Sequence, residues 1–166
     1  GCETEHGGID QISALVQRIK KDPFSRRHIL SAWNPSQIDQ MALPPCHVLS
    51  QFLVDGEKNL TCVLYQRSGD MGLGVPFNIA SYSLLTHLIA HCCGLKAREL
   101  VHDIGDAHVY KDHIVALTEQ LNNPLHPFPK LRIHCAPKDL DKYEVEDFSV
   151  NDYRYTRLRN KMAMSI

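Results

Sequence analysis

Ile9, Ile12, Val16 and Ile19 recur at steps of three and four residues, with Gln11, Gln17, Lys20 and Lys21 between them. That spacing places the apolar side chains on one face and predicts an amphipathic helix that stops near Asp22-Pro23. Residues 28–33 read as a short buried strand, ended by Asn34-Pro35. Leu43-Pro44-Pro45 is stiff, extended chain, because each proline fixes its own φ and restricts the residue before it. Residues 46–54 and 60–66 are two strand-like runs, and Asp55-Gly56-Glu57-Lys58-Asn59 between them has hairpin-turn chemistry. Gly69, Gly72 and Gly74 predict a loop. Pro76 then suits the first turn of a helix that runs to Cys93 and stops at Gly94. Weaker patterns predict strands over 100–104, 131–135 and 148–151, and a second amphipathic helix over 110–121. The order is α+β: a mixed sheet with an antiparallel hairpin, packed by helices, without strict βαβ alternation.

Composition narrows the class. A chain of 166 residues makes a single domain, residues 1–166, of a size that buries roughly 70% of its unfolded surface. The 18 Lys and Arg against 19 Asp and Glu leave a net charge of −1, which gives no general attraction for nucleic acid or an anionic membrane. Met71 to Leu95 carries no Asp, Glu, Lys or Arg, but its Pro76, Asn78 and two histidines argue for a loop and a buried helix rather than a membrane span. A soluble, cytoplasmic protein is expected. Six cysteines without a C-x-x-C pair exclude a disulfide scaffold or a zinc ribbon, and no metal site is expected.

Several residues could carry chemistry. Cys46 follows two prolines that hold its backbone, as a nucleophile requires, and a nearby Arg or Lys would favour its thiolate. Free cysteines are equally among the most buried residues, and Cys62, Cys92, Cys93 and Cys135 read as packing. Arg26-Arg27 and Arg67 offer forked donors that match a phosphate. Arg67-Ser68-Gly69-Asp70 leads through Gly72-x-Gly74 into a helix start, which suits an anionic substrate. It is neither a P-loop nor a dinucleotide fingerprint. Asn78 carries one acceptor and two donors, enough to read the N–H and C=O of a pyrimidine edge, or simply to satisfy a helix start. His87 and His91 lack the H-E-x-x-H context and read as structural; His102, His108 and His113 are too irregular for a metal site. Tyr65 and Tyr110 are half-buried candidates by position.

Taken in order, these pieces resemble one family. The motifs are Asp22-Pro23-x-x-Arg26-Arg27, Ala32-Trp33-Asn34-Pro35, Met41-Ala42-Leu43-Pro44-Pro45-Cys46-His47, the run from Leu64 to Tyr82, Gly105-Asp106-Ala107-His108-Val109-Tyr110, Pro127-Phe128-Pro129 and the tail Lys161-Met162-Ala163-Met164-Ser165-Ile166. Together they resemble the thymidylate synthase family over nearly the whole chain from Ile9. The resemblance implies a thymidylate synthase-like fold, a homodimer with sheets packed back to back, and reductive methylation of dUMP to dTMP. The one-carbon unit and the hydride would both come from 5,10-methylenetetrahydrofolate. Cys46 would attack C6 of the uracil. Arg67, Ser68, Gly69 and Asp70 would line the nucleotide site, joined by Arg26 and Arg27 of the partner subunit. Asn78 would bind N3 and O4, His47 would support a water network near O4, and His108, Val109 and Tyr110 would surround the deoxyribose. Asp70, Leu73, Gly74, Phe77, Met164 and Ser165 would hold and cover the folate.

Departures are equally specific. Tyr153-Arg154-Tyr155-Thr156-Arg157-Leu158-Arg159 replaces the family's His-Pro-containing run, and Ile166 stands where Val is usual. The chain opens on Gly1, and nothing in it matches the family's N-terminal Arg loop, catalytic Glu, folate-side Trp residues or the Tyr linked to proton removal. The sequence therefore reads as the larger, C-terminal part of such an enzyme, with weak or no turnover alone. The alternative is a non-catalytic piece that binds nucleotide or dimerises.

Overall fold

The structure is a computed structural model that describes residues 8–164. Helix α1 covers Gln11–Lys21. Asp10 caps it by accepting from the Ser13 N–H at 3.0 Å, and Arg18, Lys20 and Lys21 in the last turn complement the negative helix end. Because the helix starts only after Asp10, Ile9 lies outside it and is exposed; the buried stripe is Leu15, Val16 and Ile19.

Four strands form the main sheet: β1 (Ile29–Ser31), β2 (His47–Val54), β3 (Asn59–Asp70) and β4 (Lys96–His108), in that spatial order. β1 and β2, and β2 and β3, pair antiparallel; β3 and β4 pair parallel, joined by helix α2 (Gly74–Cys93). The expected buried strand over 28–33 is corrected to a three-residue edge strand with both end residues exposed. The turn at Arg26-Arg27 before it and the 3-10 turn that Asn34-Pro35 opens after it leave room for only a short strand. His28, just before it, is buried, and its Nε2 meets Asp22 O at 2.9 Å. Pro35–Gln40, unforeseen in the pattern, forms a 3-10 turn opened by Asn34, whose Oδ1 accepts from Ser36 N–H.

The expected glycine loop is also corrected. β3 continues through Arg67, Ser68 and Gly69 to Asp70, because β4 continues beside it: Ser68 pairs with Asp106, Gly69 with Ala107 and Asp70 with His108. Gly69 is a close-packed strand residue, since a Cβ there would come 2.9 Å from Val75 and 3.1 Å from Ile104. Gly74 already belongs to α2, which places Asn78 in its second turn rather than at its opening. Gly94 ends α2 at φ +65°, with Leu95 N–H donating back to Ala90 O at 2.8 Å.

The second expected helix is shorter than 110–121. A 3-10 turn, Lys111–His113, precedes α3 (Ile114–Leu121), where only Ala116 is buried and Ile114, Val115 and Leu121 are exposed. β5 (Lys130–Ile133) and β6 (Phe148–Asn151) form a separate antiparallel pair. Their connection is tied to the end of α2: His91 Nδ1 meets the Tyr143 hydroxyl at 2.6 Å, and Cys92 Sγ donates to Lys138 O at 3.2 Å.

The core lies on one face of the main sheet. Leu15, Val16 and Ile19 of α1 and Ile89, Ala90 and Cys92 of α2 close over Phe52, Leu60 and Cys62. The opposite face carries Ile29, Leu53, Tyr65 and Val101, all exposed. The chain has an accessible surface of 11939 Å² at 18.8 kDa, whereas a folded monomer of that mass exposes about 8,300 Å². Among the described residues, no helix is long and apolar enough to cross a membrane.

Candidate active site

Cys46 sits one residue before β2, where the strand pairing has just ended with His47 opposite Gln66. Arg67 N–H donates to Cys46 O at 2.9 Å, so the cysteine backbone is held against β3. The Arg67 side chain then folds along the approach to Cys46: Nε donates to Pro45 O at 3.1 Å and Nη2 to Pro44 O at 2.7 Å. The guanidinium carbon lies 6.0 Å from the centre of the Trp33 ring. Two prolines stiffen this segment, and one cation clamps its carbonyls, which hold the cation in turn. Cys46 is half-buried. Burial pushes the thiols of Cys62 and Cys93 up to about 11, which suits packing and not nucleophilic work.

A bulge between His47 and Leu49 turns the His47 ring toward α2, where it meets Tyr82 edge-on at 5.2 Å. His47, Tyr82, Ser50 and Leu30 share a cavity of about 300 Å³. Deeper on the same face, Gln66 is 2% exposed and its Nε2 donates both to Ser68 O at 2.8 Å and to Asn78 Oδ1 at 2.9 Å. His102 Nε2 meets Gln66 Oε1 at 2.9 Å.

The C-terminal end of β3 turns into α2 around Asp70. Its carboxylate accepts from the N–H groups of Gly72, Leu73 and Gly74, at 2.9, 3.2 and 3.4 Å. Burial raises the Asp70 carboxyl, but these N–H groups and nearby His113 more than offset that and leave it below its ordinary value. His113 is fully buried, with Nδ1 3.6 Å from Asp70 Oδ1 and Nε2 2.6 Å from Ala163 O. A Cβ on Gly72 would come 2.6 Å from His113 Nδ1 and 3.2 Å from Met162 Sδ, so the turn has room for glycine only. At the end of β4, His108 packs edge-on against Tyr110 at 5.2 Å, and Tyr110 against His113 at 5.6 Å. Three groups thus meet here: the acidic turn, the His108–Tyr110 pair and the C-terminal tail.

A family model described as thymidylate synthase matches residues 2–166. The chain belongs to the thymidylate synthase family. It is 51% identical to thymidylate synthase of Saccharomyces cerevisiae, covering 98% of this chain and 57% of that protein. It is 52% identical to the bifunctional dihydrofolate reductase-thymidylate synthase of Zea mays, over 95% of this chain and 30% of that protein. It is 54% identical to the thymidylate synthase of Equine herpesvirus 2, over 88% of this chain and 50% of that protein. The chain spans little more than half the length of these thymidylate synthases at most.

Of the residues expected from thymidylate synthase, Cys46 and His47 stand at the start of β2, Arg67 and Ser68 near the end of β3 and Asn78 in the second turn of α2; Arg67 is bonded to Cys46, and Gln66 links Ser68 to Asn78. Gly69 and Asp70 end β3, where Asp70 pairs with His108; Leu73 and Gly74 follow at the turn into α2, and Val109 and Tyr110 come directly after β4. Phe77 is 72% exposed and Met164 83% exposed, leaving apolar surface at α2 and on the tail. Arg26 and Arg27 are not gathered with Arg67. They are exposed in the turn before β1, where Gln51 Nε2 donates to Arg26 O at 3.0 Å. Ser165 lies outside the described residues. Tyr65, expected half-buried, is 47% exposed on the uncovered sheet face. Residue types alone missed Gln66, His102 and His113. For Gln66 a signal existed: it alternates with Leu60, Cys62 and Leu64, and a polar side chain at a core position demands partners. His113 offered none, since its partner is a backbone carbonyl fifty residues away.

Proposed function

We propose that this chain carries the nucleotide-binding and nucleophilic part of a thymidylate synthase, which methylates dUMP reductively to dTMP. The observation that carries the reading is the clamp at Cys46: the Arg67 backbone bonded to Cys46 O, and its guanidinium bonded to the two carbonyls before it. Cys46 Sγ adds to C6 of the uracil, and the C5–C6 electron pair moves onto O4, leaving C5 nucleophilic. The Asn78 amide faces N3 and O4, donating to the oxygen where that charge develops. Arg67 and Ser68 receive the phosphate, and His108 and Tyr110 the sugar. Methylenetetrahydrofolate supplies the carbon and the hydride. Asp70, Leu73, Gly74 and the exposed Phe77 offer a carboxylate beside apolar surface for its pterin, and the tail through Met164 and Ser165 excludes water.

The protein works as a homodimer in this reading, with the uncovered sheet faces packed together. Arg26 and Arg27 then reach the partner's phosphate site; the Arg26 backbone is already anchored to that face through Gln51. The reading places the protein in the cytoplasm, as expected from its composition.

Ligand-dependent melting tests the binding half. dUMP raises the melting temperature, deoxyuridine without phosphate does so weakly, and Arg67→Ala weakens dUMP binding by about ten- to a hundredfold, the value of one or two hydrogen bonds to a charged group. Equal stabilisation of wild type and Arg67→Ala by dUMP contradicts the assignment.

A further inference from the structure

Gln66 is the middle of a hydrogen-bond chain that begins on a backbone atom and ends on Asn78. Its nitrogen donates to Ser68 O and Asn78 Oδ1, and its oxygen meets His102 Nε2. Ser68 O can only accept, so the Gln66 nitrogen is committed to that side. Both hydrogens of that nitrogen are then used. The Gln66 oxygen, at a residue 2% exposed, needs a donor of its own. His102 supplies it in the tautomer that carries the proton on Nε2. Burial, helped by nearby His47, keeps the His102 imidazole below its ordinary value and so favours the neutral ring.

Orientation passes along this chain. With an N–H of Gln66 aimed at it, Asn78 must turn its oxygen toward Gln66 and its NH₂ away. The reversed Asn78 would set two N–H groups face to face. Turned as it is, the carboxamide presents donors to a carbonyl oxygen on a base edge; reversed, it would suit an amino group.

We infer that His102 is a positioning residue: by giving the Gln66 oxygen its donor it completes the orientation that Ser68 O imposes on Gln66, and through Gln66 it holds the Asn78 carboxamide in the sense that prefers a 4-oxo over a 4-amino pyrimidine. This rests on the nucleotide-binding reading above and adds why Asn78, which carries both a donor and an acceptor, reads only one of two similar bases.

His102→Gln and His102→Glu form an isosteric pair that differs in charge and in the ability to donate. Gln can donate to Gln66 Oε1, while Glu can only accept and competes for the Gln66 N–H that Asn78 uses. Affinities for dUMP, dCMP and inorganic phosphate are measured by calorimetry on the 166-residue chain. Wild type prefers dUMP to dCMP by about tenfold or more, the worth of one matched hydrogen bond. His102→Gln keeps that ratio within about threefold. In His102→Glu the ratio falls to near one while phosphate affinity is unchanged, which a general loss of structure would not produce. Should His102→Glu fail to fold, Gln66→Glu reverses the same link, since an ionised carboxylate at 66 can only accept and Asn78 must turn an N–H toward it, and the same fall is expected. A folded His102→Glu or Gln66→Glu with the wild-type ratio, or a His102→Gln that loses it, overturns the inference alone. A wild type that binds neither nucleotide overturns the reading beneath it as well.

Discussion

At the residue scale the decisive feature is how few side chains hold Cys46 in place. Arg67 serves three acceptors on consecutive residues, Pro44, Pro45 and Cys46, so its geometry matters as well as its charge. Arg67→Lys keeps the cation but cannot reach both proline carbonyls. It should bind inorganic phosphate nearly as well as wild type while dUMP affinity falls by about tenfold, measured by calorimetry. Equal losses for both ligands would mean that only charge counts. Cysteine chemistry separates at the same scale. Brief iodoacetamide treatment at pH 8 followed by peptide mass mapping should modify Cys46 well ahead of Cys62 and Cys93, whose thiols sit up at about 11. The stiff approach to Cys46 was legible from Pro44-Pro45 because prolines act locally, while the role proposed for Cys46 came from the family resemblance. The partners of Asn78 were not: Gln66 lies twelve residues before it and His102 thirty-six residues beyond Gln66, brought together only by β3 pairing with β4.

At the element scale, helices with sharp ends were legible and long parallel strands were not. Pro76 and Gly94 mark the two ends of α2 through their own backbone chemistry, whereas the start of α1 depends on the Asp10 side chain and was not read from the pattern. The extension of β3 through Arg67-Ser68-Gly69-Asp70 depends on a neighbour more than thirty residues away, so local propensity pointed to a loop. Gly94→Ala tests the α2 stop. At φ +65° a Cβ costs about 1 kcal/mol or slightly more, which should lower the melting temperature by about 2–4 °C. The β2–β3 hairpin has its own acid signature. Asn59, through side chain and backbone, together with the Glu57 N–H and Arg98, holds the Asp55 carboxyl at about 2. A carboxyl depressed on folding stabilises above its ordinary value of 3.8, and that contribution is lost as pH falls toward about 2. Urea unfolding across pH 4 to 2 should therefore show a loss that Asp55→Asn flattens. An unchanged slope in the variant would remove Asp55 from the account.

At the scale of the whole molecule, half of the main sheet is unfinished. One face is closed by α1 and α2, and the other leaves Ile29, Leu53, Tyr65 and Val101 exposed. The excess over a compact monomer's surface is large enough for an ordinary protein interface, which buries about 1,600 Å² in total. Light scattering should give a dimer mass, and Tyr65→Asp, placing a charge in the centre of that face, should give a monomer that no longer binds dUMP tightly, since Arg26 and Arg27 would have no partner site. A monomeric wild type would contradict the packing of sheets. The balanced charge of the chain, 18 basic against 19 acidic residues, conceals this arrangement. The proposed anion site is local, one arginine in the clamp and two more in the turn before β1.

The central claim is that Cys46 bonds covalently to the nucleotide. Intact-mass spectrometry of the chain, incubated with 5-fluoro-dUMP and methylenetetrahydrofolate, measures it directly. The 5-fluoro group blocks loss of the C5 proton, so the covalent complex accumulates. The account predicts one added mass of nucleotide plus folate per chain, mapped to the Cys46 peptide and absent in Cys46→Ala. An adduct of equal yield in Cys46→Ala, or one mapped to another cysteine, would contradict it.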